Sequence, residues 1–179
     1  VFYYMRTLFQ TIKQQFLEGN DLVLVSVTAS SGSTPRGAGS RMLVGKNGRI
    51  SGTIGGGAVE YRAECMALDI LEKKESCEHE FQLNHKDVEN IGMICGGDVT
   101  AFFQYLDHND PIIMEITETA EKFYEERKDF WLICDLLTTS GVSLYSPACG
   151  LIGTANVPSS VLSSLSTKPH RYHSEDYDL

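Results

Sequence analysis

Three consecutive glycines, Gly55-Gly56-Gly57, separate a predicted strand from a predicted helix. The strand covers residues 49–54, and beyond the glycines apolar residues recur at helical spacing over residues 59–71. A chain that passes from strand to helix across a glycine turn must bury one face of the helix against a sheet. We therefore predict an α/β fold in which a mixed sheet is flanked by helices.

Hydrophobic periodicity predicts further elements on both sides of the glycines. The Asn47-Gly48 pair is a hairpin signal, because both residues tolerate the positive φ angles of a type I′ turn. Asn109-Asp110-Pro111 is typical of a helix start, with a capping residue followed by proline. The predicted elements are a helix over 4–18, strands over 22–27, 41–44, 49–54, 77–83, 99–106 and 130–137, and a helix after Pro111.

The second half of the chain resembles the first in its order of elements. A buried strand over 130–137 is followed by a turn, a strand over 142–145, a Gly153-Thr154 pair and a helix-like segment over 157–165. This order echoes the first half, where Gly52-Thr53 precedes the triple glycine. We infer a degenerate internal repeat in which only the first copy keeps a binding loop. We expect a first domain over 1–108, a strand and helix extension over 109–166, and a polar tail or truncated linker over 167–179.

Composition excludes several classes of protein. The 179 residues carry a formal net charge of −9, and basic residues cluster only around Arg36, Arg41 and Arg49. Duplex nucleic-acid binding is disfavoured, because such proteins present a basic face. No apolar run reaches the roughly 18 residues that a membrane span requires, and the first residues do not form a signal peptide. We therefore expect a cytoplasmic protein.

The five cysteines are odd in number and lack a paired CxxC spacing, which indicates neither a disulfide framework nor a zinc site. Four of them are expected to be small buried apolar residues: Cys65, Cys77, Cys134 and Cys149. Cys95 differs because it precedes Gly96 and Gly97, whose amides would stabilise a thiolate. A catalytic thiol or a metal contact at Cys95 is the alternative to a buried thiol.

Three segments are the candidates for a binding site. They are Gly32-Ser33-Thr34-Pro35-Arg36 with Arg41, then Gly52-Thr53-Ile54-Gly55-Gly56-Gly57 with Glu60, and Gly92-Met93-Ile94-Cys95-Gly96-Gly97. Glycines before a helix expose backbone N–H groups at its positive end, which favours an anion. Ser33, Thr34 and Arg36 would add donors to the same anion. Tight turns alone would also explain each glycine loop.

The same segments do not match the usual nucleotide loops. There is no GxxxxGK sequence, and the triple glycine lacks the GxGxxG order, so a standard ATP or NAD site is not indicated. Glu60 lies in the first helical turn, where it would either stabilise the helix dipole or act as an acid or base. The histidines lack helical i, i+4 pairing, and none is assigned to a metal: His79, His85, His108, His170 and His173.

Taken together, the three segments resemble the N-terminal domain of the xanthine dehydrogenase accessory factor and carbon monoxide dehydrogenase accessory family. The resemblance covers residues 5–106. It implies a protein that binds molybdenum cofactor (molybdopterin) and delivers it to an apo molybdenum hydroxylase of the xanthine dehydrogenase type. By resemblance, Arg36, the Gly55 to Gly57 loop and Cys95 fall on the family's motif positions, where a pterin phosphate or a molybdenum atom would be their partner. The candidate cofactor-binding residues are Ser33, Thr34, Arg36, Arg41, Gly55, Gly56, Gly57, Glu60, Gly96 and Gly97, with Cys95 as a candidate catalytic thiol and contact to molybdenum.

Two departures from the family pattern bear on the chemistry. Many relatives have cysteine where this chain has Ala58, and a C-terminal Rossmann domain is not found. The resemblance therefore favours an accessory protein over a catalyst. The alternative is a thiol-dependent enzyme that uses Cys95 in cofactor sulfuration or redox chemistry. A cysteine desulfurase would then be a further partner, and a homodimer is compatible with either function.

Overall fold

The computed structural model describes residues 2–31, 37–83, 97–137 and 141–179. Its elements are, in chain order, α1 (Phe2–Leu17), β1 (Leu22–Ser30), β2 (Arg41–Gly45), β3 (Gly48–Gly52), α2 (Gly57–Lys73), β4 (Cys77–Leu83), β5 (Gly97–Leu106), α3 (Pro111–Glu126), β6 (Trp131–Asp135), β7 (Gly141–Ser146), β8 (Gly150–Gly153) and α4 (Ser159–Ser164). Helices and two sheets in one chain confirm the predicted α/β class. No helix in the described ranges is long and apolar enough to cross a bilayer.

The chain divides into two compact units. The five-stranded unit comprises Val23–Tyr105 with Lys168–His170, and its strands follow the order β3-β2-β1-β5-β4. The three-stranded unit comprises Val1–Leu22, Leu106–Thr167 and Arg171–Leu179, and its strands follow the order β6-β7-β8. The domain boundaries expected at residues 108 and 166 stay a prediction.

One face of the five-stranded sheet is covered by α2. Alternate residues of each strand point to the same face, so every second apolar side chain reaches the helix. The helix presents small residues there, which lets it lie close to the strands. The shared core contains Val59, Ala63, Ala67 and Ile70 from α2, Val23, Val25 and Val27 from β1, Met42 and Val44 from β2, Phe81 from β4, and Val99, Ala101 and Phe103 from β5.

The three-stranded unit contains α1, α3 and α4. The rings of Phe9 in α1 and Tyr124 in α3 lie 6.2 Å apart, and Lys13 Nζ lies 3.0 Å from Glu121 Oε2. The start of α3 is as predicted, since the Asp110 side chain accepts a hydrogen bond from the Ile112 amide. A second core joins Ile133 of β6, Val161 of α4 and the terminal residue Leu179.

The two halves share a three-strand antiparallel meander followed by a helix, as the repeat predicted. In the first copy Gly45 pairs with Gly48 and Met42 with Gly52, whereas in the second Ser146 pairs with Gly150 and Ser143 with Gly153. The last strand of the first copy is one residue longer, because a register shift between Leu43 and Val44 accommodates the extra residue.

Residues 171–179 fold back onto the three-stranded unit. Tyr172 and Leu179 exchange two backbone hydrogen bonds of 2.9 Å, and the Leu136 amide donates to the Asp178 carbonyl. The guanidinium of Arg171 pairs with the Asp178 carboxylate, which lies 2.5 Å from Nη2. These contacts join the last residues to the chain next to β6.

Candidate functional site

The triple glycine forms the turn between β3 and α2. Gly55, Gly56 and Gly57 have φ angles of 134°, 82° and 64°, and Gly56 is the N-cap residue of α2. Three consecutive positive φ angles are accessible to glycine at little cost but strain any residue with a Cβ. The turn therefore depends on glycine at these positions. We call residues 53–57 the glycine turn.

The Glu60 carboxylate occupies the inside of the glycine turn. Its Oε2 accepts hydrogen bonds from the backbone amides of Ile54 and Gly56, each at 3.1 Å, and from the Thr53 hydroxyl. Its Oε1 pairs with the guanidinium of Arg49. Glu60 is only 9% exposed, so a buried charge is matched by four donors.

The environment of Glu60 holds its carboxylate in the charged form. Burial by itself raises the pKa of Glu60, but the hydrogen bonds from Thr53, Gly56 and Ile54 and the charge of Arg49 outweigh it. The net result is a pKa below the ordinary glutamate value. Glu60 is therefore ionised at neutral pH and acts as an anion bound by the protein itself.

Two further contacts connect the glycine turn to β3. The Thr53 hydroxyl accepts a hydrogen bond from the Gly55 amide at 3.1 Å, and Arg49 Nη1 donates to the Gly52 carbonyl at 3.3 Å. Arg49 also uses its backbone amide to donate to the Glu64 carboxylate at 3.1 Å. The strand end, the turn and the first two turns of α2 thus form one hydrogen-bonded structure.

Among the described residues, none covers the outer side of the glycine turn at Gly56. The first amides of a helix have no acceptor within the helix, so those of Gly57 and Ala58 remain at the positive end of α2. A Cβ added at Gly56 would meet no heavy atom of the described residues within 4 Å, and Gly57 is exposed. An oxygen-bearing ligand can therefore approach this side of the backbone.

The described residues that flank the three motifs lie at one end of the five-stranded sheet. At this end β1, β3 and β4 finish, while β2 and β5 begin. Four residue pairs locate it, namely Ser26 with Arg41, Met42 with Gly52, Leu83 with Gly97, and Ser31 with Asp98. The last pair joins the neighbourhoods of two motifs directly, since the Ser31 amide donates to the Asp98 carbonyl at 2.9 Å.

The predicted site residues divide into those that the structure describes and those that it does not. Gly55, Gly56, Gly57 and Glu60 lie together in the glycine turn and the first turn of α2. Arg41 begins β2, and its carbonyl accepts from the Thr53 amide at 2.9 Å. Gly97 begins β5 opposite Leu83. The other predicted positions, Ser33, Thr34, Arg36, Cys95 and Gly96, lie outside the described residues.

Two residues of the glycine turn were not identified from the sequence in this role. Arg49 was noted only as a basic residue, and Thr53 only as part of the Gly52-Thr53 pair. Both bind the Glu60 carboxylate. The sequence does contain a signal for the contact between Arg49 and Glu60. An arginine lies in the strand before the glycines, and a glutamate lies in the helix directly after them.

The remaining cysteines differ in part from the expectation of burial. Cys65 and Cys149 are exposed, while Cys77 and Cys134 are half-buried, and none of the four forms a disulfide. Cys65 lies on the outer part of α2, and Cys149 lies in the turn between β7 and β8. Their exposure could not be predicted from the sequence, because a lone cysteine does not indicate which face of a helix or hairpin it occupies.

One group in the described part of the chain has the composition of a metal site. Potential ligand atoms of Asp21, Asp107 and His108 lie within 4.8 Å of one another. These residues are held by hydrogen bonds among themselves and to the backbone: Asp21 Oδ1 lies 2.6 Å from His108 Nδ1 and also accepts from the His108 amide. The hydrogen bonds account for this group without a metal ion.

Comparison with known proteins identifies relatives of part of the chain. Residues 16–82 match the sequence model of the XdhC and CoxI family. YqeB of Escherichia coli (strain K12), which is described as an uncharacterized protein, is 33% identical over 79 residues, or 44% of this chain and 14% of YqeB. A crystal structure described as a xanthine dehydrogenase from Bacillus halodurans aligns with a TM-score of 0.64 at 15% identity, over 92% of this chain and 49% of that protein.

These comparisons confirm the family resemblance that the motifs predicted. The family match includes the first two motifs and ends before the third, which begins at Gly92. The similarity to the Bacillus halodurans structure shows a shared fold. This chain spans about half the length of that protein and a small part of YqeB.

Proposed function

We propose that this protein binds molybdenum cofactor at the glycine-turn end of the five-stranded sheet and delivers it to an apo molybdenum hydroxylase of the xanthine dehydrogenase type. The proposal describes an accessory protein that need not turn over a substrate. It extends the match of residues 16–82 to the XdhC and CoxI family. The shared fold with a structure described as a xanthine dehydrogenase is compatible with it.

The observation that carries the proposal is the common position of the three motif neighbourhoods. Ser31 and Asp98 are hydrogen-bonded to each other, and Arg41 is hydrogen-bonded to Thr53. Segments that are distant in sequence therefore begin or end close together. Such convergence is expected of a ligand site and is not required of three independent turns.

The chemistry of the described residues fits an oxygen-rich ligand. The amides of Gly57 and Ala58 lie at the positive end of α2, and the absence of a side chain at Gly56 leaves room among the described residues for close approach. Molybdopterin carries a phosphate and a pterin carbonyl, both of which accept hydrogen bonds from amides. When bound, the cofactor would supply the molybdenum centre of the client enzyme.

We assign the remaining contacts on the basis of the motifs. Ser33, Thr34, Arg36 and Arg41 would donate to the phosphate, and the Gly96 and Gly97 amides would contact the pterin. Cys95 would be placed to contact molybdenum. We further propose that the protein acts in the cytoplasm, where a cysteine desulfurase would provide sulfur.

The proposal is tested by measuring the pterin that is retained by the purified protein. Protein produced in a host that makes molybdopterin is oxidised, and the released pterin is quantified by fluorescence. Gly56→Ala strains a φ of 82° at the site, while Gly150→Ala strains a φ of 77° in the β7–β8 hairpin. At both positions a Cβ would meet no described atom within 4 Å, so the two substitutions are matched in steric contact. At Gly56 the ψ of −177° adds backbone strain, because essentially only glycine populates that region.

We expect near-stoichiometric pterin in the wild-type protein and in Gly150→Ala, and a loss of about tenfold or more in Gly56→Ala, corresponding to about 1.4 kcal/mol of binding free energy. Wild-type protein that retains no pterin, when produced in such a host without its client enzyme, would refute cofactor binding. Equal pterin retention in Gly56→Ala and Gly150→Ala would show that the cofactor does not bind at the glycine turn.

A further inference from the structure

We infer that Glu60 is a positioning residue, whose carboxylate serves as an internal anion that sets the geometry of the glycine turn for a ligand on its outer side. The inference rests on the proposed function for the ligand, but the arrangement of the carboxylate is independent of it. Glu60 would therefore influence cofactor binding without touching the cofactor.

The contacts of Glu60 come from every part of the turn. Thr53 and Ile54 precede the glycines, Gly56 is the N-cap of α2, and Arg49 belongs to β3. One carboxylate group thus connects the strand, the turn and the helix. Because glycine has the largest conformational freedom of all residues, a turn of three glycines needs such connections to keep one geometry.

The same contacts determine which amides are left for a ligand. The Ile54 and Gly56 amides point inward to the carboxylate, whereas those of Gly57 and Ala58 begin the helix and have no acceptor within it. The Glu60 charge is compensated by Arg49 and is buried. A ligand would therefore meet the outer amides and would not meet an uncompensated carboxylate.

A simple helix cap is the competing interpretation. A cap would affect the stability of α2, and its removal would change ligand affinity only as far as the protein unfolds. A positioning residue predicts instead that affinity changes in protein that remains folded. Pterin retention is therefore compared with the folded fraction of the same protein sample.

Glu60→Gln separates these roles. A glutamine oxygen can replace Oε2 and still accept from Thr53, Ile54 and Gly56, but its NH₂ group would then face the Arg49 guanidinium, so that two donors oppose each other. Arg49→Ala removes that opposition. We expect Glu60→Gln to lower pterin retention about tenfold, and the double variant Glu60→Gln with Arg49→Ala to recover to within about threefold of Arg49→Ala alone.

Thr53 provides a milder pair of variants in case Glu60→Gln fails to fold. Thr53→Val removes the hydroxyl that donates to Glu60 and accepts from Gly55, whereas Thr53→Ser retains it. We expect reduced pterin retention in Thr53→Val and retention close to wild type in Thr53→Ser. Equal retention in the two variants would contradict the inference.

Nuclear magnetic resonance of protein labelled with ¹⁵N-glycine and ¹⁵N-isoleucine tests the arrangement without any ligand. The amide resonances of Ile54 and Gly56 should shift together as Glu60 is protonated in acid, and this titration should be absent in Glu60→Gln. Failure of the two amides to report a common titration overturns the inference. If wild-type protein shows the titration but retains no pterin, the role of Glu60 as an internal anion is supported and the proposed function is refuted.

Discussion

The Gly56 amide donates a hydrogen bond to the carboxylate of Glu60, four residues later, at 3.1 Å. A helix therefore satisfies the amide of its own N-cap residue with a side chain from its first turn, as in a capping box. Here the capping side chain also reaches back to Thr53 and Arg49. The stability of α2 and the shape of the glycine turn consequently depend on the same group.

The stability of the protein should depend on pH through Glu60. Because the folded state holds the pKa of Glu60 below its ordinary value, the contribution is fully present above the unfolded pKa and is lost as pH falls through the folded pKa. We expect the free energy of unfolding in urea to fall between about pH 5 and pH 3, and to fall less in Glu60→Gln.

Asp178 provides the control for this pH dependence. The hydrogen bond from Arg171 lowers the pKa of Asp178 against the opposing effect of burial, so its contribution has the same sign. Asp178→Asn should remove a separate part of the acid response in the three-stranded unit. An unchanged pH profile in Glu60→Gln would contradict the assigned role of the Glu60 carboxylate.

Ser143→Ala should destabilise the three-stranded unit. Ser143 is fully buried, and its hydroxyl accepts the hydrogen bond of the Ala155 amide at 3.0 Å. Its removal leaves a buried donor without this acceptor, at a cost of about 1–3 kcal/mol. Chemical denaturation measures the cost, and faster hydrogen exchange at the Ala155 amide would identify its source. Ser163→Ala, at an exposed serine, should change stability by less than about 0.5 kcal/mol.

Two glycines of β8 should differ in their tolerance of alanine. At Gly153 a Cβ would lie 2.3 Å from Ser143 Oγ and 2.7 Å from the Ser143 Cα, in addition to a φ of 123°. At Gly150 only the backbone strain applies, since no described atom lies within 4 Å. We expect Gly153→Ala to cost about 3–5 kcal/mol and Gly150→Ala about 1–2 kcal/mol. Equal unfolding midpoints for the two variants would contradict the expected clash between a Cβ at Gly153 and Ser143.

The cysteines should differ in their reactivity toward iodoacetamide. Cys65 and Cys149 are exposed, whereas burial raises the pKa of the Cys77 thiol despite the opposing charge of Lys73. Because the thiolate is the reactive form, Cys77 should react on the order of tenfold more slowly than the exposed pair at neutral pH. Mass spectrometry of tryptic peptides after brief alkylation measures the three rates separately. Comparable labelling of Cys77 would contradict its burial.

Elements with strong local signals were predicted well from the sequence. The hairpin predicted at Asn47-Gly48 joins β2 to β3, and α3 begins after the predicted Asp110 cap. The predicted type I′ turn was wrong, because Gly48 has a positive φ of 100° but Asn47 does not. Boundaries near glycine were less accurate. The strand predicted over residues 49–54 ends at Gly52, where φ is 83°. The Thr53 amide still donates to the Arg41 carbonyl of β2, but the Ile54 amide donates to Glu60 instead of a strand. An apolar residue such as Ile54 extends a strand pattern even where it belongs to a turn.

The candidate site was predicted in its residues but not in its internal contacts. Composition and spacing identified the triple glycine and left Glu60 between a helix-dipole role and acid or base work. Its four donors depend on the positive φ angles of the turn and on the pairing of Met42 with Gly52, which bring Arg49 to the helix. The common sheet end depends on the strand order, which places β5 next to β1. Neither the donors of Glu60 nor the common sheet end can be predicted from local sequence, because both depend on contacts between residues that are distant in the chain.

The two copies of the meander depend differently on the helix that follows each of them. After the second Gly-Thr pair, the amide of Ala155 obtains its acceptor from a neighbouring strand, so the following helix is free to shrink to six residues. After the first pair, the corresponding amide of Ile54 obtains its acceptor from the helix itself, through Glu60. The loop of the first copy therefore depends on the start of α2, whereas the Ala155 contact of the second copy does not depend on α4.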